Sequence, residues 1–260
     1  MSKRASTSFA TTGLIFLNPR SRADSVTIIS CGTTEVHWLP PDFALTDATL
    51  GQWLIADEWA RAQGFKSERR RSEFLRSRYL VRKLTGSRDP LPADGHGNPS
   101  WPEPWVGSIT HKDGFVGVAI VPRTQWLSVG IDVEDPKRMK AEFAGKILSA
   151  SENQWLRERC DATQVAFNLA LTCCFSFKES IYKAIYPLGL KPFYFHDARI
   201  EDLTAANATG DLWSGRITAE LMIDASPGTP RGTRLQGDFC LLQERDRHFI
   251  LTALSIGRGN

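Results

Sequence analysis

The stretch WLSVGIDVEDPKRMK, residues 126–140, starts as an apolar, β-branched run and ends in two acids two positions apart, with a basic cluster behind them. Side chains at i and i+2 of a strand leave from the same face, so Asp132 and Glu134 emerge together. Adjacent anions repel unless a cation lies between them. Oxygen ligands without Cys or His suit a hard ion such as Mg²⁺. An isolated Asp-x-Glu arises by chance too easily to carry that reading, and a solvated strand end explains it as well. The rest of the chain has to decide.

Upstream of this strand, SVTIISCG (25–32) and TEVHWL (34–39) read as short strands around a glycine turn. LTDATLGQWLIADEWARAQGF (45–65) has helical spacing. In SERRRSEFLRSRYLVRKLTG (67–86) the residues Phe74, Leu75, Tyr79, Leu80 and Leu84 form one stripe, and Gly86 supplies a stop. The Pro- and Gly-rich segment 87–105 is a loop. VGSITH, a Lys112-Asp113-Gly114 turn and FVGVAIVP then make a hairpin. Downstream, residues 143–160 return to helix, and DATQVAFNLALTCCFSFKESIYKAIYPLG (161–189) reads as one long apolar helix ending near Pro187 and Gly189. Three strands, within 211–223, 234–246 and 247–256, close the chain. Each half carries strands and at least one long helix. The expected class is therefore α+β, in two subdomains meeting around residue 126: a flexible basic tail (1–24), an N-terminal half (25–126) and a C-terminal half (127–260) holding the acids.

Composition sets the outer limits. The 260 residues, 42% apolar and 23% charged, can bury a real core, and a formal charge of +3 does not announce a nucleic-acid binder. Five cysteines without a CxxC pair argue against a disulfide framework or a zinc site and fit a reducing cytoplasm. Nowhere do eighteen apolar residues run together, so no membrane span is expected.

Three further features stand beside the acids. In FSFKESIYKA (175–184), Glu179 and Lys183 are i and i+4 and share a helix face, while Lys178 points about 100° away. A surface Glu–Lys pair explains that spacing equally well. Arg71, Arg78 and Arg82 flank the stripe of the 67–86 helix, with Arg69 and Arg70 before it; several arginines on one helix can grip a phosphate dianion, although most charge runs are simply solvated. Thr110 and His111 end the strand of GSITH beside a glycine turn.

In this order, RRSEFLRSRYLVRKL (70–84), GNPSWPEPWVGSITH (97–111), VGIDVE (129–134) and LALTCCFSFKESIYKAIYP (169–187) resemble the 4′-phosphopantetheinyl transferases, in the branch of enterobactin synthase component D. The resemblance covers residues 69–188. It implies the phosphopantetheinyl transferase fold: two similar α/β halves related by a pseudo-twofold, with coenzyme A in the cleft between them. The implied reaction moves phosphopantetheine from coenzyme A to a serine of an apo acyl or peptidyl carrier protein and releases adenosine 3′,5′-bisphosphate. Asp132, Glu134 and Glu179 would hold Mg²⁺. Lys183, with Lys178, would face the phosphates, and Glu179 would take the serine proton directly or through a water. Thr110, His111, Arg71 and Arg78 would grip the 3′-phosphate, and Pro99 would line the site. Some relatives place lysine in a Gly-Lys-Pro turn where this chain has Gly97-Asn98-Pro99, so a cation contact there is lost or supplied elsewhere. The competing readings are a Mg²⁺-dependent nuclease and a nucleic-acid binder using the arginine helix. A two-half enzyme has no need to pair, so a monomer is expected.

Overall fold

The computed structural model describes residues 26–209, 212–244 and 246–258; the expected tail, 1–24, lies outside them. β1 (Thr27–Cys31) and β2 (Thr34–Leu39) pair antiparallel across Gly32, whose φ of 59° suits a residue without Cβ. The helical stretch that follows is two helices rather than one. Leu54 and Ile55 are extended between α1 (Asp47–Trp53) and α2 (Ala56–Gln63), and Glu58 restarts the second by accepting the Ile55 N–H at 3.2 Å. α3 (Glu68–Thr85) is capped by Ser67, which accepts from Arg70 N–H, and ends on Gly86 at φ 67°. The hairpin of β3 (Trp105–Lys112) and β4 (Phe115–Pro122) turns at Asp113 and Gly114, both at positive φ. These strands form a four-stranded sheet in the order β1-β2-β4-β3.

β5 (Trp126–Glu134) opens the second sheet. Three helices follow: α4 (Ala144–Ile147), α5 (Ala150–Thr163) and α6 (Phe167–Gly189). The long helix read from residue 161 is broken, because Gln164 sits in the left-handed region at φ 58° and ends α5. The end expected near Gly189 is where α6 stops. β6 (Ala198–Thr209), β7 (Leu212–Leu221), β8 (Arg234–Glu244) and β9 (Arg247–Gly257) complete a five-stranded antiparallel sheet in the order β5-β9-β8-β7-β6. No helix of the described residues is long and apolar enough to cross a membrane.

The strand alternation builds four layers. Leu39, Val116 and Val118 of the first sheet pack on α1–α3, and Ile217, Phe239 and Ile250 of the second pack on α4–α6. Between the sheets, Trp38, Phe115 and Ala119 meet Val129, Ile131, Val133 and Phe249. β5 thus turns its odd residues to the other sheet and Gly130, Asp132 and Glu134 towards α6. A Cβ at Gly130 would lie 1.9 Å from the Ser180 carbonyl oxygen, so glycine is what lets α6 approach β5. Edge strands β3 and β5 meet through side chains: Ser108 Oγ and Thr110 Oγ1 accept the N–H groups of Ile131 and Val133, both at 3.1 Å.

Candidate active site

Together α3, residues 96–99, β3 and α6 enclose a cleft of about 490 Å³. Arg61, Arg70, Arg78, His96, His111 and Lys183 line it, against one acid, Glu73. Arg78 is buried 3.7 Å from Glu58, with its guanidinium 4.6 Å from the centre of the Phe74 ring. Burial lowers its pKa to about 10, so it stays a cation at neutral pH. Phe65, Phe74, Tyr182 and Tyr186 supply apolar walls. Pro99 lines the cleft as expected; its neighbour Asn98 is held by a turn in which Asp94 accepts the His96 and Asn98 N–H groups.

The acids adjoin this cleft, Asp132 and Glu134 on β5 and Glu179 on α6. Asp132 Oδ1 accepts from Lys183 Nζ at 2.7 Å, and Lys183 also donates to the Ile131 carbonyl at 3.0 Å. Glu134 pairs with Lys112. Among the described residues, no three His, Cys, Asp or Glu side chains stand together in metal-ligand spacing; Asp132 and Glu134 are each paired with a lysine. The same acids are nevertheless short of positive charge. Asp132 Oδ2 is buried without a hydrogen-bond partner. Glu134 and Glu179 both have raised pKa values, first from burial and then from the charge of Asp132, with Lys183 opposing. Orphaned and mutually repelling carboxylate oxygens on one strand and the adjoining helix are the donor set a hard divalent ion takes.

Three sequence expectations need correction. Lys178 does not reach the cleft. It is fully buried on the far side of α6, where its ammonium donates to Glu152 Oε1 (2.8 Å) and to the carbonyls of Ile147 and Phe195 (2.9 Å each). Thr110 faces the seam rather than the cleft: its hydroxyl accepts from Val133 N–H and lies 3.4 Å from Asp132 Oδ1, which makes it a support for the acid. Arg71 turns outwards to Glu68 at 3.4 Å, and its neighbour Arg70 lines the cleft instead. His111 does enter the cleft. Sequence reasoning missed Glu73, Lys112 and the aromatic residues of α6. A tyrosine at 182 beside Lys183, and another one turn on at 186, was the available signal for the last of these.

Residues 128–226 match the model of the 4′-phosphopantetheinyl transferase superfamily, and residues 64–121 match that of the 4′-phosphopantetheinyl transferase N-terminal domain. The 4′-phosphopantetheinyl transferase PptT of Mycobacterium tuberculosis is 31% identical over 72% of this chain and 79% of its own. The 4′-phosphopantetheinyl transferase Svp of Streptomyces mobaraensis is 30% identical over 84% and 86%. This chain belongs to the 4′-phosphopantetheinyl transferase superfamily and is a transferase of that class. Within it, enterobactin synthase component D of Salmonella typhimurium, 32% identical over 60% of this chain and 63% of its own, agrees with the branch the motifs indicated.

Proposed function

We propose that this transferase moves 4′-phosphopantetheine from coenzyme A to a serine of an apo acyl or peptidyl carrier protein, with Mg²⁺ and with release of adenosine 3′,5′-bisphosphate. The observation that carries the reading is one helix, α6, serving two purposes: Lys183 and Tyr182 line a basic cleft while Glu179 stands among the acids beside it. Coenzyme A brings a pyrophosphate and a 3′-phosphate monoester, the latter contributing about −1.5 to −2 charge at neutral pH. The N-terminal half, 25–126, would take the monoester through Arg70, Arg78 and His111. The C-terminal half, 127–260, would take the pyrophosphate through Lys183. Asp132, Glu134 and Glu179 are the residues that would hold Mg²⁺, whose chemistry there is to offset charge on the pyrophosphate and the leaving bisphosphate.

The serine oxygen of the carrier forms a bond to the phosphorus bearing pantetheine, and the bond to the bridging oxygen breaks. Lys183 stabilises the charge that develops. Glu179, whose pKa burial raises, receives the serine proton. The nucleophile belongs to the partner, so no Ser-His-Asp arrangement is required. Glu179 and Lys183 sit one turn apart on a helix rather than alternating along a strand, which counts against the nuclease reading. The same reading has the enzyme act as a cytoplasmic monomer, in keeping with five buried free thiols. The test is intact mass after incubation with coenzyme A, Mg²⁺ and a panel of apo carriers. Gain of a single phosphopantetheine on at least one carrier is expected, and an unchanged mass across the panel would overturn the reading.

A further inference from the structure

His111 reaches the cleft from β3 with its side chain 54% exposed, and its Nδ1 lies 3.3 Å from Oε2 of Glu73 on α3. Glu73 is 4% exposed, and its other oxygen, Oε1, accepts the N–H of Gly114 at 3.0 Å, in the turn that follows His111's own strand. A carboxylate costs free energy to bury, and this one also subtracts from the positive potential of an anion site. It needs a purpose that offsets both.

A neutral imidazole carries one N–H, on either nitrogen. With Nδ1–H turned to Glu73, the ring presents a lone pair at Nε2, which repels a phosphate oxygen. We propose that Glu73 is a positioning residue that keeps the proton on His111 Nδ1, so that the ring can donate to a phosphate monoester only as an imidazolium and binding draws a proton from solvent. The inference rests on the coenzyme A reading of the cleft. The proton taken up lands on Nε2 and no bond between heavy atoms changes; one end of the ring then serves Glu73 and the other the phosphate. The charged groups facing the imidazole are Glu73 and Arg70 from α3, Lys183 from α6 and Asp132 from β5. His96 is the second imidazole of the cleft, and the variant His111→Gln separates its contribution from that of His111.

Calorimetric titration at about pH 8, in buffers of different ionisation enthalpy, reads the uptake directly; the free monoester is already dianionic there, its second pKa being near 6. We expect uptake approaching about one proton per coenzyme A bound, and none for 3′-dephospho-coenzyme A. In Glu73→Gln the amide still accepts from Gly114 but donates to Nδ1. The neutral ring then offers Nε2–H, and uptake vanishes although binding persists. His111→Gln is a second silent variant. Uptake that survives in either variant, or coenzyme A binding by the parent protein without uptake, overturns the inference. A complete lack of coenzyme A binding by the parent overturns the reading of the cleft as well.

Discussion

Lys178 and Lys183 are five positions apart on α6 and face opposite ways, and their surroundings give them opposite roles. Lys178 spends all three of its donors inside the fold, on Glu152 and two carbonyls that tie α6 to α4 and to the turn before β6. Removing one partner of such a pair leaves the other buried and uncompensated. Lys178→Met should therefore cost about 3–5 kcal/mol in a denaturant titration. Lys183→Ala leaves Asp132, 6% exposed, without its cation and should also lower the unfolding midpoint, but the folded variant should slow carrier modification by about 10²-fold or more, as loss of a group that meets developing charge does; near-normal turnover would return Lys183 to a structural pairing with Asp132. Glu152 adds a pH dependence. Burial alone would raise its pKa, but Lys178 and the N–H groups of Ser149 and Ile200 outweigh that and hold it below the ordinary 4.5. A folded-state pKa below the unfolded one means stability that is complete above 4.5 and is lost as pH falls through the folded value. Unfolding midpoints measured below about pH 5 should thus drop more steeply for the parent protein than for Glu152→Gln. Sequence periodicity separated Lys178 from Glu179 by about 100°, yet it could not say which face of a largely apolar helix meets the core. Placing Lys178 at the phosphates rests on the family resemblance alone. Arg71 flanks the stripe yet turns outwards to Glu68, while Arg70, about 100° round the helix, lines the cleft, a choice the stripe does not fix.

At the scale of elements, the approach of α6 to β5 governs the site. Gly130 is the point of contact, with the Ser180 carbonyl 1.9 Å from where a Cβ would stand. Gly130→Ala must push the helix away, and overpacking of this kind costs about 1–3 kcal/mol. Because Asp132 and Lys183 are on the displaced elements, we expect turnover of the folded variant to fall along with the unfolding midpoint; a lower midpoint with full turnover would mean the spacing of helix and strand does not set the site. Most elements were legible in the sequence, including the capped arginine helix, the Asp113-Gly114 hairpin and the strand bearing Asp132 and Glu134. Two kinds were not. The break at Gln164 involves neither Gly nor Pro; a glutamine in the left-handed region with its amide on the Asp161 carbonyl, 2.7 Å away, leaves no compositional mark. β6 leaves no such mark either, because ARIEDLTAANAT mixes acids, alanines and an asparagine that carry little strand preference, and its pairing with β7 decides its structure.

At the scale of the whole molecule, a net charge of +3 hides a strong local asymmetry. Six bases against Glu73 line the cleft, while Asp132 and Glu134 on β5 and Glu179 on α6 adjoin it. The sequence motifs named most of the participants. What they could not supply was the seam, where Ser108 and Thr110 join the two sheets by hydroxyl-to-backbone hydrogen bonds and so bring β3's histidine and β5's aspartate to one place. Lysines now pair with two of the acids, and the account requires that a divalent ion compete with them successfully once coenzyme A is bound. Titration of Mn²⁺ followed by electron paramagnetic resonance, with coenzyme A present, measures this directly. The account predicts a site filled by a single ion per chain and weakened by at least about tenfold in each of Asp132→Asn, Glu134→Gln and Glu179→Gln. Ion affinity unchanged in all three variants would contradict it.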